Sequence, residues 1–97
     1  MSKVTLIAYL RVNPGQEERF VREFEPVVEE TRNEHGCINY DLHRSLEEPT
    51  LFLVHENWAT REDLERHNTA PHIQAWLGQS EGVFAAPFEL GLWEQIR

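Results

Sequence analysis

Cysteine is nearly missing from this chain: Cys37 is the only one in 97 residues. That excludes an intrachain disulfide framework and any zinc or iron–sulfur site built on several thiolates. Basic residues are scarce as well. Nine Lys and Arg face seventeen Asp and Glu, a formal net charge of −8. Such a surface repels nucleic-acid phosphates and anionic lipid headgroups, so neither is expected as a partner. No apolar run approaches the length of a membrane span, and no internal repeat is visible. The opening Met1-Ser2-Lys3-Val4 has no basic stretch followed by an apolar one, so no export signal is read there. With a lone free thiol, a cytoplasmic location is expected. Gly-x-Gly-x-x-Gly, P-loop, Gly-x-Ser-x-Gly and His-Glu-x-x-His patterns are all absent, which leaves no motif for nucleotides, a serine nucleophile or zinc.

What is present is patterned. Residues 1–97 read as one domain, short enough that its core needs help from outside the chain. Val4 to Val12 alternates, with Val4, Leu6, Ala8, Leu10 and Val12 on one side, and Asn13-Pro14-Gly15 stops the strand. From Gln16 to about Glu34 the period becomes helical, with Phe20, Phe24, Val27, Val28 and Thr31 on one face. Pro26 predicts a kink there, and Gly36 a stop. Cys37 to Arg44 alternates again, with Ile38, Tyr40 and Leu42 together. A turn at Glu47-Glu48-Pro49 leads to Leu51–Trp58, apolar on both faces, so the two strands predict a hairpin. Thr60 with Asp63 resembles a capping box for a helix to about Asn68. Pro71 suits the first turn of another helix through Ile73, Trp76 and Leu77, ended by Gly78 or Gly82. Pro87 to Ile96 reads as the last strand.

The order βαββαβ predicts an α+β, ferredoxin-like fold: a four-stranded antiparallel sheet with helices on one face. Leu51, Leu53, Phe52, Val54 and Trp93 cannot all point to that face. The other side then carries a large apolar patch, and a second copy of the chain in a two-fold homodimer is the expected cover.

Five histidines are the first candidates for chemistry, because imidazole titrates near neutrality. His35 ends the long helix, where a cation suits the dipole. His43 sits on a solvated strand face. His55 continues the face of Leu51 and Leu53, either as a satisfied core histidine or as a polar group lining a pocket. His67 and His72 flank the break between the two late helices, a natural cavity wall, with helix capping as the plainer role. They are five residues apart across a proline and share no helical face, so no metal site is expected. Cys37 reads as a small buried residue. Trp58, Trp76, Trp93, Tyr9 and Tyr40 are core material first, but Tyr9, Tyr40 and Trp76 also suit a cleft for an aromatic ligand.

Four segments, in order and spacing, then resemble the antibiotic biosynthesis monooxygenase family. They are Arg11-Val12-Asn13-Pro14-Gly15, Glu34-His35-Gly36-Cys37-Ile38-Asn39-Tyr40, Glu56-Asn57-Trp58 and His67-Asn68-Thr69-Ala70-Pro71-His72. The resemblance implies a dimeric α+β barrel with a small cavity between each sheet and its helices. It implies oxygenation of a small quinol or polycyclic phenol by O₂ with no cofactor. Trp58, Asn57 and His72 would line the pocket, with His67 nearby. Haem-degrading relatives use an Asn on the first strand, where this chain has Ala8 or Tyr9, so haem is not expected. Isomerases of phosphorylated diones share a similar His…Thr-x-Pro-His stretch, which keeps isomerisation as an alternative. A non-catalytic, ligand-binding stress protein is the third.

The chemistry expected on the first reading begins with proton removal by a neutral His, His72 before His67. The Asn57 amide and the Trp58 indole N–H would hold the anion. The electron-rich anion would then reduce O₂ inside a dry aromatic cleft. The isomerase reading shares the first step and differs in the second.

Overall fold

Two adjacent strands from opposite halves of the chain organise the protein. In the computed structural model, which describes residues 3–97, β1 (Val4–Arg11) pairs antiparallel with β3 (Leu51–Trp58) along its whole length. β2 (Cys37–Arg44) adds to the far side of β3, and β4 (Glu89–Trp93) to the far side of β1, giving the order β2-β3-β1-β4. Three helices, α1 (Glu17–Arg32), α2 (Arg61–Asn68) and α3 (Pro71–Gln79), complete the βαββαβ order. This is the α+β, ferredoxin-like architecture with a four-stranded antiparallel sheet.

The alternation read from the sequence sets which residues face the helices. Leu6, Ala8, Leu10, Phe52, Val54 and Trp58 are buried on the inner face. Phe20, Phe24, Val27 and Thr31 of α1 come down on them at helical spacing. Phe20 touches Phe52 edge-on, with ring centroids 4.8 Å apart, and Phe24 reaches Trp76 of α3 at 4.8 Å. Pro26 lies inside α1 on its exposed side, so the carbonyl that loses its partner faces water and the helix continues through it.

Three of the expectations above differ in the structure, and the choice between Gly78 and Gly82 closes. α1 ends at Arg32, not near Glu34, because the amides of Asn33 and Glu34 turn back to the carbonyls of Glu30 and Thr31. His35 therefore lies beyond the helix and is exposed, and Arg32 is the basic residue of the last turn. Ile38 does not share a side with Tyr40: the β2–β3 register shifts between Cys37 and Asn39, and the bulge turns Ile38 to solvent at 56% exposure. Gly78 lies within α3, and it is Gly82, at φ +82°, that follows the helix. The last strand is Glu89–Trp93, shorter than Pro87–Ile96, because β1 offers pairing partners only from Thr5 to Tyr9.

On the outer face, away from the helices, Ile7, Tyr9, Leu51, Leu53 and Trp93 form an apolar field. Next to it runs a polar row. Asn57 donates to Asn39 Oδ1 at 2.7 Å and approaches His55 Nε2 at 3.3 Å, while Asn39 donates to Asp41 at 3.0 Å.

Gly36 ties this frame to the helices. Its φ is +84°, its carbonyl accepts from the Ala59 amide at 2.8 Å, and a Cβ there would run into the Asp63 carboxylate. Asp63 cannot yield easily, since Thr60 and Arg66 both donate to it at 2.9 Å. Gly36→Ala thus combines a left-handed backbone with a steric clash. We expect a loss of about 2–4 kcal/mol in urea unfolding, against a gain of about 0.5 kcal/mol for Gly78→Ala on the exposed side of α3, where a Cβ meets nothing.

Candidate active site

Between the inner sheet face and the helices lies a cavity of about 180 Å³. That is below the usual range for drug-sized ligands, roughly 300–1,000 Å³, and fits one or two rings. Its wall is mostly aliphatic and aromatic, including Leu6, Phe24, Ile73 and Trp76. Four polar residues interrupt it: Tyr40, Glu56, His67 and Asn68. None of the lining residues is Lys or Arg.

His67 is placed by the helix break that Pro71 imposes. The amides of Thr69 and Ala70 close on Arg66 and His67 carbonyls, ending α2 with the His67 ring turned inward at 4% exposure. The turn after α1 brings Glu34 to it, and His67 Nδ1 lies 2.6 Å from Glu34 Oε2. A carboxylate only accepts, so Nδ1 carries the hydrogen and Nε2 keeps its lone pair. His72, in the first turn of α3, reaches the same oxygen through Nε2 at 3.3 Å and Thr31 Oγ1 at 3.0 Å. Burial holds the His67 imidazole below its usual range, against the opposing pull of Glu34. It is a neutral base at physiological pH, held in one tautomer.

Glu56 is the second ionisable group of the wall. It occupies an inward position between Val54 and Trp58 and is 5% exposed. Trp58, fully buried, donates its indole N–H to Glu56 Oε1 at 2.9 Å and lays its ring near His67, with centroids 4.8 Å apart. Burial raises the Glu56 carboxyl to about 7, with Glu34 adding to the rise and the indole bond opposing it. Tyr40 pairs with Glu56 across the strands, and burial pushes its phenol upward, so it stays protonated. Among the described residues, His67 Nε2, Glu56 Oε2 and the Tyr40 hydroxyl make no hydrogen bond, yet no sealed buried side-chain N or O atom lacks a partner. These three atoms therefore open onto the cavity.

Of the site residues read from the sequence, the structure gathers His67, Tyr40 and Trp76 on the cavity wall, with Trp58 and His72 directly behind His67. It does not bring Asn57, His55 or Tyr9 there. Successive strand residues point to opposite faces, so the register that buries Trp58 inward turns Asn57 outward, with His55 and Tyr9 on the same outer face. The Trp58 N–H is already engaged by Glu56. Glu34 and Glu56 were not among the expected site residues. For Glu56 a signal existed: a charge on the inward register of an apolar strand. For Glu34 there was none, because its role depends on how α1, α2 and α3 meet. That meeting also gathers donors of Glu34, His67 and His72 within 4.8 Å, the one His/carboxylate group among the described residues that could hold a cation, which sequence spacing does not show. As they stand, the 2.6 Å contact of His67 with Glu34 is a hydrogen bond, and His72 Nε2 hydrogen-bonds Thr31 Oγ1 while lying 3.3 Å from the same Glu34 oxygen. Cys37, half-buried and with its thiol raised by burial, is poorly suited to act as a nucleophile.

Comparison with known proteins bears on the family and the fold. Residues 3–79 match the family model described as antibiotic biosynthesis monooxygenase. A Bacillus subtilis protein named "Putative monooxygenase YcnE" is 29% identical over 87 residues, covering 90% of this chain and 92% of its own. The crystal structure of PA3566 from Pseudomonas aeruginosa superposes with a TM-score of 0.91 at 29% identity, over 100% of this chain and 97% of that one. Rv0793 from Mycobacterium tuberculosis shares the fold at TM-score 0.90 and 23% identity, over 99% and 97% of the two chains.

The Glu56 carboxyl makes stability depend on pH. Its folded value lies near 7, above the ordinary 4.5, so the native state keeps a proton that the unfolded chain has already released. Its contribution is complete below about pH 4.5 and is lost as pH rises through 7. Glu56→Gln removes this dependence. In urea unfolding the variant should gain on the parent between pH 5 and 8, by up to about 3 kcal/mol; a difference constant over that range would contradict the buried neutral acid.

Proposed function

The chain belongs to the antibiotic biosynthesis monooxygenase family, and on that premise we propose that it oxidises a small quinol or phenol with O₂, using no metal or flavin. One observation carries the reading: a neutral imidazole with a carboxylate-fixed tautomer presents its free Nε2 to an apolar, aromatic cavity the size of one or two rings. An electron-rich phenol needs little else. His67 Nε2 removes a proton from the substrate, and the imidazolium is stabilised by Glu34. The Tyr40 hydroxyl, which stays protonated, donates to the substrate oxygen. The substrate anion passes one electron to O₂, and the radical and superoxide join at carbon as a peroxide. Loss of water from that peroxide leaves a carbonyl. A CH₂ group so converted to C=O gives up four electrons and O₂ accepts four. The substrate itself supplies the reducing power, as a cofactor does elsewhere.

His67 is favoured over His72 as base because His67 lines the cavity, while His72 Nε2 is spent on Thr31 and Glu34. In this reading His72 is a positioning residue that holds Glu34. Asn57 and His55, on the outer face, take no part in the chemistry of this cavity. The alternative, isomerisation of a phosphorylated dione, lacks support in the lining: no Lys or Arg is available for phosphate, and the Glu34 carboxylate behind His67 disfavours an anion. A purely ligand-binding role would have no use for an imidazole fixed in one tautomer.

We also propose a two-fold homodimer formed through the outer sheet face, where Tyr9 and Trp93 are 42% and 61% exposed beside Ile7, Leu51 and Leu53. The lone free thiol suits work in the cytoplasm.

Oxygen uptake with a panel of quinols and anthrones, by metal-stripped protein, should exceed the buffer rate. His67→Ala should lower kcat by about 100-fold or more, and His72→Ala by less. Uptake unchanged in His67→Ala would refute the base assignment, and no uptake across the panel would refute the oxygenase reading. Sedimentation at micromolar concentration should give twice the chain mass.

A further inference from the structure

We infer that Glu56 is a second catalytic residue, the acid that delivers a proton to the departing oxygen when the substrate peroxide collapses. The inference rests on the oxygenase reading above. It begins from position. Glu56 is the only acidic residue on the cavity wall, and among the described residues no Lys, Arg or His lies within ion-pair distance of it. Burying a carboxyl in such a place is costly unless its oxygens are used. Trp58 uses one, donating to Oε1, and Oε2 is left open to the cavity.

The groups facing Glu56 come from every element around it. Leu6 of β1 and Tyr40 of β2 are its cross-strand partners, Ile73 and Trp76 of α3 share its cavity, and His67 and Glu34 approach from the helix ends. The apolar groups disfavour charge, and Glu34 repels it. Neutral His67 and neutral Glu56 thus stand on one wall with opposite tasks, one ready to take a proton and one ready to give it.

The step balances as follows. The peroxide anion first takes the proton that His67 gained in the opening step, which makes it a hydroperoxide and returns His67 to the neutral base. His67 then removes the remaining hydrogen from the carbon that bears the hydroperoxide. The C–H electron pair becomes the second C–O bond, and the O–O bond breaks. The leaving hydroxide takes the Glu56 Oε2 proton and departs as water. Glu56 is left as a carboxylate and is reprotonated from the His67 imidazolium or from water that enters as the product leaves. O₂ is the only oxidant, and the proposed activity supplies it.

The test is Glu56→Gln, which keeps the size and the acceptor for the Trp58 N–H but has no proton to give. Substrate binding, read by quenching of tryptophan fluorescence, should stay within about twofold, and the substrate anion should form as fast as in the parent. Product formation in single turnover should fall about 10- to 100-fold, with peroxide released instead of quinone. The parent rate should decline above pH 7, and the variant should lack that limb. Equal product rates with the same pH profile overturn the inference and leave the oxygenase reading standing. No oxygen uptake by the parent across the panel brings both down. Should the variant fail to fold, infrared spectroscopy of the parent decides: a carboxylic-acid carbonyl band must persist at pH 6, where exposed acids are ionised, and vanish with a midpoint near 7. Its absence at pH 6 overturns the proposal.

Discussion

A single carboxylate, Glu34, holds the ends of three helices in one place. It leaves α1 through the turn that closes on Thr31, and it meets His67 of α2 and His72 of α3 through the same oxygen. Side chains from three elements converge on a point that none of them could define alone. The contact to His67, at 2.6 Å, also sets the chemistry: it fixes which imidazole nitrogen carries hydrogen. Packing of α2 and α3 on the sheet and selection of the tautomer are therefore one event. Loosening either would blur the other.

Around that point the protein arranges a contrast of environments. The cavity is small, mostly apolar and free of Lys and Arg in its lining, and its ionisable groups are pushed toward their neutral forms by the same burial. Histidine loses its charge and so becomes a base, while the glutamic acid keeps its proton and so becomes an acid. One physical cause gives two opposite capacities because the two side chains carry opposite charges when ionised. Trp58 links them. It stacks near one ring and donates to the other's carboxyl, which makes a fully buried residue part of the site without exposing any of it.

Much of this was legible in the sequence. Alternation in β1 and β3, the helical period of Phe20, Phe24 and Val27, the Thr60–Asp63 cap and Pro71 at a helix start all announced elements that the structure contains. The faces of Leu51 to Trp58 were also readable, since the side-chain period of a strand is strict. Asn57 and Trp58 are adjacent in a strand and lie on opposite sides whichever face meets the helices; only the family resemblance places them in one pocket, and the strand period overrules it. Ile38 departs from the alternation because a bulge between Cys37 and Asn39 interrupts the period, which the residue types there do not announce. Glu34 was silent because its partners lie 33 and 38 positions away in sequence. The acidic surplus noted at the outset lies mostly on exposed surface, but two of those acids, at 34 and 56, are the ones the site uses.

The position of β1 has a consequence for how the protein comes into being. As the inner strand between β3 and β4, it pairs residues 4–11 with residues 51–58, and it supplies Leu6, Ala8 and Leu10 to the cavity wall. The hairpin of β2 and β3 can form locally, but the floor of the cavity cannot exist until a loop of some forty residues has closed. Closing such a loop costs entropy before it returns contacts, which places the chain among the slower, mixed α/β folders. Until that closure the Glu56 side chain remains in water and behaves as an ordinary acid. The cavity and its buried acid are a late product of folding, completed only when residues 4–11 find residues 51–58.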